Sequence, residues 1–222
     1  MKLIISSLLI VLLTGCAGPM SKEDRDAIRQ IGIVSTLPDD FHLIHIGTTI
    51  FTNTYGKSTF PEWDINTYVE KTLALALEQV GRTDLGIVKG DFTIELGYWG
   101  VSGYDAIDAA ASSQGFDTYV LIRPVNYDNA RFHEPGFGFY DRNAFGVKRR
   151  CLYSLYAAEV RKPGASKPLA WNWGRPCFAG DEDLPFHGDM TAYSASDLET
   201  MRDRMEKRLA QKLRDNVQAL GL

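Results

Sequence analysis

The chain opens with an apolar run that we do not expect to remain in the folded protein. One basic residue, Lys2, precedes apolar-dominated residues 3–13, and small residues then lead to Cys16. This order is typical of a secretory signal. The run has eleven residues, whereas a helix that spans a bilayer needs about 20. We therefore expect export and removal of residues 1–15. The remaining chain must then fold in an oxidising compartment.

The end of the run resembles a known processing site. Leu13-Thr14-Gly15-Cys16 is similar to the lipobox of bacterial lipoproteins. The resemblance implies that Cys16 is acylated, palmitate included, and becomes the first residue of the mature chain. Several acyl chains together give stable anchoring. No aspartate follows Cys16, which by the same resemblance implies the outer membrane, facing the periplasm, and not the inner membrane. An ordinary secretory signal with a chance cysteine is the alternative.

Composition limits what the mature chain does. Removal of fifteen residues from 222 leaves 207, enough for one core. We expect residues 16–30 to be a lipidated tether and residues 31–222 to be a single periplasmic domain. Hydrophobic residues at 45% and charged residues at 23% are typical of a globular protein. The net charge of the full sequence is −4 and no basic patch stands out, so we expect no nucleic-acid partner.

The two remaining cysteines predict a disulfide. Cys151 and Cys177 flank a turn signal at residues 161–168, and a chain folded about its middle brings them close together. Closure of this loop stabilises by about 3.5 kcal/mol. A redox pair or a metal site is the alternative, but the sequence has neither Cys-x-x-Cys nor a nearby histidine cluster. We expect no metal and no cofactor.

Residue patterns predict an α/β (α+β) sandwich. It has a mixed β-sheet, about three helices and a disulfide-linked C-terminal hairpin. The stripe of the last helix is expected to pack on the sheet of its own domain, and Ser196 and Glu199 have capping-box spacing. The predicted strands are 31–36, 41–47, 91–96, 118–123, 148–160 and 169–178, and the predicted helices are 64–80, 105–114 and 196–220.

A long aromatic segment separates the predicted strand at 118–123 from the hairpin. Residues 124–146 carry too many aromatic side chains for a disordered linker. Aromatic rings with arginines are typical of interface hot spots. The alternative is that the rings fold back over the sheet or form another hairpin through residues 136–138. The candidate partner-binding residues are Phe132, Phe137, Phe139, Tyr140 and Arg142.

No catalytic motif is complete. Residues 100–104 come nearest to a serine-hydrolase elbow but lack its second glycine. His42 and His45 lie three apart on a predicted strand, so we expect them on opposite faces. The acidic run at residues 181–183 is expected to be a solvated loop. A periplasmic hydrolase remains the alternative function, with its base and acid drawn from His42 or His133 and from Asp39, Asp40 or Glu134.

The body resembles other envelope proteins. Residues 110–122, with Gly115 and Asp117, resemble the helix, Gly-x-Asp, strand step of the TolB amino-terminal domain, the curli-secretion lipoprotein and the lipoprotein activators of penicillin-binding proteins. Residues 31–35, 41–51 and 63–73 resemble a group of uncharacterised proteobacterial proteins. These resemblances imply an envelope role. We expect a non-enzymatic binding or assembly module for an envelope protein or a cell-wall partner.

Overall fold

The computed structural model describes residues 19–97, 100–126, 133–174, 177 and 180–222. Within this part of the chain, an eight-stranded mixed sheet carries the fold, and a separate two-stranded ribbon flanks it. The helices are α1 (Lys22–Ala27), α2 (Ile65–Gln79), α3 (Tyr104–Ser113) and α4 (Ala195–Leu220). The strands are β1 (Ile31–Ser35), β2 (Asp40–Ile46), β3 (Thr54–Thr59), β4 (Leu85–Ile87), β5 (Glu95–Gly97), β6 (Gly100–Ser102), β7 (Thr118–Pro124), β8 (Gly136–Ala144), β9 (Val147–Arg161) and β10 (Ala170–Gly174). The predicted class, a mixed sheet with helices and a disulfide-linked hairpin, is confirmed.

The long strand β9 joins the two halves of the sheet. Hydrogen-bonded neighbours follow the order β3-β2-β8-β9-β7-β1-β4, and β10 also pairs with β9. Residues 147–155 of β9 pair with β8, and residues 156–161 pair with β7. β1 runs parallel to β7, and β2 runs parallel to β8. The two parallel pairs are therefore interrupted at the same level of the sheet. Residues 36–39 separate β1 from β2, and residues 125–135 separate β7 from β8.

The two interruptions touch. A Cβ on Gly136, which has φ +94°, would lie 2.8 Å from the ring of Pro38. The Thr36 amide still donates to the carbonyl of Ile122 at 2.9 Å, which is the last backbone bond before the gap. The sheet therefore opens at the carboxyl ends of β1 and β7.

Helices α2 and α4 cover one face of the sheet. The stripe of α4 is buried there, which agrees with the prediction that this helix packs on its own domain. The predicted cap is wrong by two residues. The hydroxyl of Ser194, not Ser196, accepts from the amide of Asp197, whose carboxylate in turn accepts from the Ser194 amide. The buried stripe consists of Met201, Met205, Leu209, Leu213, Val217 and Leu220.

The other face carries α3 and the disulfide. Cys151 on β9 is bonded to Cys177, with Cα atoms 5.3 Å apart, as predicted. Ala170 pairs with Val160, so the hairpin turns about residue 165. Cys177 has φ +52° and lies beyond the end of β10, so it is not part of the predicted strand at 169–178.

The predicted tether is partly incorporated into the body. Met20 and Ile28 belong to the main core cluster, and the Met20 amide donates to the carbonyl of Leu220 at 2.8 Å. The packed body therefore begins before residue 31.

The predicted strand at 91–96 is wrong, since only residues 95–97 form a short strand in that region. Within the described residues, no helix is both long and apolar enough to cross a membrane.

Candidate functional site

A cleft of about 560 Å3 opens where β1 and β7 end. Crevices beyond the carboxyl ends of parallel strands are common ligand sites in α/β sheets. We call it the strand-end cleft. Its polar lining is Ser35, Thr36, Asp40, His42, Asn66, Glu70, Asp91, Thr93 and Glu134, and its apolar lining includes Leu37, Val88, Phe92, Ile94 and Leu96.

Helix α2 fixes one wall of the cleft. Asn66 accepts a hydrogen bond from the Leu37 amide at 2.8 Å and donates to the Leu37 carbonyl at 2.9 Å. Glu70, one turn later, accepts from the Ser35 amide at 3.1 Å. Backbone groups that lose sheet partners at a strand end need others, and these two side chains provide them. Burial raises the pKa of the Glu70 carboxyl.

The cleft is rich in carboxylates. Asp40, Glu70, Asp91 and Glu134 line it, and the described lining contains no lysine or arginine. Among the described residues, Asp40 is the one carboxylate of these four that forms a salt bridge, with Lys57 at 3.0 Å from outside the cleft. Partial burial alone would raise the pKa of Asp40, but hydrogen bonds from Lys57 and Thr59 outweigh it and lower that pKa. The strand-end cleft therefore favours ligands that carry positive charge or donate hydrogen bonds.

Three of the candidate acid and base residues meet in this cleft: His42, Asp40 and Glu134. Burial lowers the pKa of His42 and outweighs the opposing attraction of Glu134 and Asp40. The imidazole is therefore neutral at neutral pH and able to accept a proton. Among the described residues no hydrogen bond joins His42 to either carboxylate. Asp39 is exposed and does not line the cleft.

His133 belongs to a different environment. Its ring is stacked on Tyr140, with centroids 4.5 Å apart, and its Nε2 lies 3.7 Å from the Sγ of Cys177. Burial, with a smaller effect from Arg149, lowers the pKa of His133 to about 4. This histidine packs beside the disulfide and is not grouped with Asp39, Asp40 or Glu134 in the cleft.

The aromatic residues proposed as a binding surface are inaccessible. Phe137, Phe139 and Tyr140 are at most 4% exposed on β8, which has β2 on one side and β9 on the other. The interpretation of these rings as an exposed partner surface is therefore wrong. A further hairpin does form, between β8 and β9, but its turn lies at residues 145–146 and not at the predicted residues 136–138, which lie inside β8. Arg142 is half-buried on the same strand.

Two predicted sites lie outside the described residues. Cys16, with the whole lipobox, precedes residue 19, and Phe132 falls within the gap at 127–132. Acylation at Cys16 stays a prediction. Phe132 stays a candidate without a structural account.

Sequence reasoning missed a buried carboxylate. Asp181, expected in a solvated loop, is fully buried and accepts from the Leu152 amide at 2.8 Å. Arg204 and Arg208 on α4 bond to the same carboxylate. Glu182 and Asp183 are exposed, as expected. The arginines lie 23 and 27 residues further along the chain, so no local pattern marks Asp181.

A second ionic group lies on the opposite face from His42. His45 Nδ1 is 2.7 Å from Asp141 Oδ2, and Arg150 bonds to the other oxygen of that carboxylate at 2.8 Å. His45 and Asp141 are register neighbours on β2 and β8. This agrees with the prediction that His42 and His45 face opposite sides. Because Arg150 also donates to the Leu184 carbonyl, the group ties the sheet to the segment that follows the disulfide.

Comparison with known proteins adds no family assignment. No protein-family model matches the chain, and no curated protein matches it significantly. Within the described residues, no group of three or more histidine, cysteine or acidic side chains is arranged to bind a metal ion.

Proposed function

We propose that this protein is a lipid-anchored lipoprotein of the bacterial envelope, attached through Cys16 and facing the periplasm from the outer membrane. Its body acts as a non-enzymatic binding or assembly module for a protein or cell-wall partner. The observation that carries the proposal is the strand-end cleft, a concave site with four carboxylates and no cation in its described lining. This site replaces the buried aromatic residues as the candidate contact region.

The lining indicates which part of a partner enters the cleft. Glu134 and Asp91 are carboxylates with no hydrogen-bond partner among the described residues, whereas Glu70 and Asp40 already accept from protein groups. Opposite charges in a concave site attract more strongly than on an open surface. We expect a primary amine, from a lysine side chain or a diamino acid of the cell-wall peptide, to occupy the space between them. Phe92 and Leu96 provide apolar contact for the carbon chain of that amine.

Anchoring is tested by labelling cells with radioactive palmitate. The tagged full-length chain should incorporate label and fractionate with the outer membrane. Cys16→Ala should remove both properties, whereas Cys151→Ser, which changes another cysteine, should keep the label. Label that persists in Cys16→Ala would contradict the lipoprotein assignment.

Partner binding is tested by photo-crosslinking in living cells. A photoreactive amino acid at Thr93, an exposed cleft residue, should capture a discrete envelope species. The double substitution Asp91→Asn and Glu134→Gln should reduce capture at least tenfold. Glu199→Gln, which neutralises an exposed carboxylate on α4, is the matched control and should leave capture unchanged. Equal capture by all three proteins would exclude the cleft as the binding site.

One observation favours a second function, a periplasmic hydrolase. His42 is a neutral base in the same cleft as Asp40 and Glu134, where a water molecule or substrate could lie between them. The test is incubation of the full-length protein with muropeptides from purified cell walls, followed by product analysis. Turnover that His42→Gln abolishes and His45→Gln retains would favour the hydrolase. Binding without turnover would favour the module.

A further inference from the structure

Large apolar side chains are exposed at one end of the sheet. Ile50 is 78% exposed and Phe51 is 92% exposed in the connection between β2 and β3. Phe145, at 79%, lies in the turn between β8 and β9, and Val147 is the first residue of β9. β2 and β8 are hydrogen-bonded neighbours with Ile46 opposite Arg142, so both connections leave the sheet at the same end. We call these four residues the distal tip.

The charge around the distal tip differs from that of the whole protein. The chain has a net charge of −4, yet residues 46–60 and 142–150 contain no acidic residue. The second segment carries Arg142, Lys148, Arg149 and Arg150. Of the nearby carboxylates, Asp141 is already paired with His45 and Arg150, and Glu182 is exposed. An apolar tip next to a group of cationic residues is complementary to an anionic lipid surface.

The first described residues of the chain lie at the other end of the molecule. Lys162, directly after β9, bonds to Asp24 of α1 at 3.3 Å, so the described amino-terminal segment lies at the Arg161 end of β9. The distal tip lies at the Val147 end. β9 has 15 residues, and at about 3.3 Å per residue its two ends are roughly 45 Å apart. The distal tip therefore lies at the end of the sheet opposite to the described amino-terminal segment.

We infer that the distal tip is a second membrane-contact site, which inserts Phe51 and Phe145 reversibly into an anionic phospholipid bilayer. Lys148 and Arg149 then face the lipid phosphates. The two rings occupy connections on neighbouring strands of a rigid sheet, so they enter one surface together. The site is separate from the strand-end cleft and does not depend on what the cleft binds.

The test is capture of vesicles by the displayed full-length protein. A hexahistidine tag is added after Leu222, which lies close to Met20 and therefore at the end opposite to the distal tip. The tag attaches the chain to neutral phosphatidylcholine vesicles that carry nickel-chelating lipid. Fluorescent acceptor vesicles contain phosphatidylcholine with or without phosphatidylglycerol. The wild-type protein should capture the phosphatidylglycerol vesicles at least tenfold better than neutral ones. Added salt should weaken this capture, because the Debye length falls to about 3 Å at 1 M.

Two variants separate the tip from the remainder of the chain. Phe51→Ser with Phe145→Ser should reduce capture at least tenfold, and Lys148→Glu should reduce it severalfold. Leu75→Ser, at an exposed apolar position on α2 (59%), is the matched control and should capture like the wild type. Absence of capture by the wild type, equal capture of both lipid compositions, or undiminished capture by the double variant would each overturn the inference. Display through the tag makes the result independent of acylation at Cys16.

Discussion

Removal of the buried charge of Asp181 should destabilise the protein strongly. It is 0% exposed and accepts hydrogen bonds from Leu152, Arg204 and Arg208. Loss of one partner from a buried ion pair costs about 3–5 kcal/mol. Because Arg204 and Arg208 are 33% and 35% exposed, water can reach them after the change. We therefore expect Asp181→Ala to lower the free energy of unfolding by about 3 kcal/mol, the lower end of that range.

A milder variant separates charge from hydrogen bonding. Asp181→Asn keeps an acceptor for the Leu152 amide, and a hydrogen bond contributes about 1 kcal/mol net, so we expect a loss of about 2 kcal/mol. Urea denaturation of the oxidised protein, followed by circular dichroism, measures both values, provided that the denaturant slope is unchanged.

The matched control is Asp183→Asn. This carboxylate bonds to the same Arg204 through two contacts of 2.8 and 2.6 Å, but it is 64% exposed. Exposed ion pairs contribute little, so its substitution should leave the unfolding midpoint unchanged within error. Equal losses for Asp181→Asn and Asp183→Asn, or no loss in Asp181→Ala, would refute the argument that burial makes the difference.

Three further changes test other parts of the fold. Phe139→Ala should lower the free energy of unfolding by about 3–5 kcal/mol, because the ring is fully buried. An unchanged free energy of unfolding would contradict this burial. Replacement of both Cys151 and Cys177 by serine should cost about 3.5 kcal/mol, given their separation of 26 residues, and a wild-type urea midpoint in the double variant would contradict this. The pKa of His133 is lowered from 6.5 to about 4, so the unfolded chain binds a proton that the native protein does not. The contribution of His133 therefore makes the free energy of unfolding highest above pH 6.5 and lowers it as the pH falls towards 4. His133→Gln should flatten the pH dependence of the free energy of unfolding over that window. The same pH dependence in the variant, measured by urea denaturation at several pH values, would refute the argument.

The helices were predictable because their signals are local. Predicted boundaries at 105–114 and 196–220 lie within one residue of α3 and α4. Apolar spacing defines each face, and Gly115, with φ +86°, ends α3. The disulfide was predictable for a similar reason, since a hairpin relates two residues through one turn.

The strands β3 and β8 were missed for a physical reason. β3 is an edge strand with exposed or half-exposed side chains, so it lacks alternation of apolar residues. In β8, glycines alternate with buried aromatic rings, and Gly138 is needed because a Cβ there would lie 2.5 Å from the ring of Tyr153. Both strands become strands through pairing with distant segments and not through their own propensity.

The strand-end cleft was beyond sequence reasoning as a whole. Its residues come from positions 35 to 135 and meet only because β1 and β2 are interrupted beside β7 and β8. His42, Asp40 and Glu134 were named as candidates from residue type alone. They meet because β1 and β7 end before β2 and β8 begin. His133 shows the opposite outcome, since its neighbour Glu134 lines the cleft while His133 packs on the disulfide.

The shared strand β9 has a consequence for how the protein is made. β7 and β8 each need a different half of β9 as a partner, and β2 must pair with β8, which lies 96 residues further along the chain. Non-local pairing of this kind slows folding. The half of the sheet that contains β8 cannot close before residue 155 has been made, and the half that contains β7 cannot close before residue 161. A late, slow closure of this kind leaves unpaired strand edges exposed to chaperones while the chain is being made.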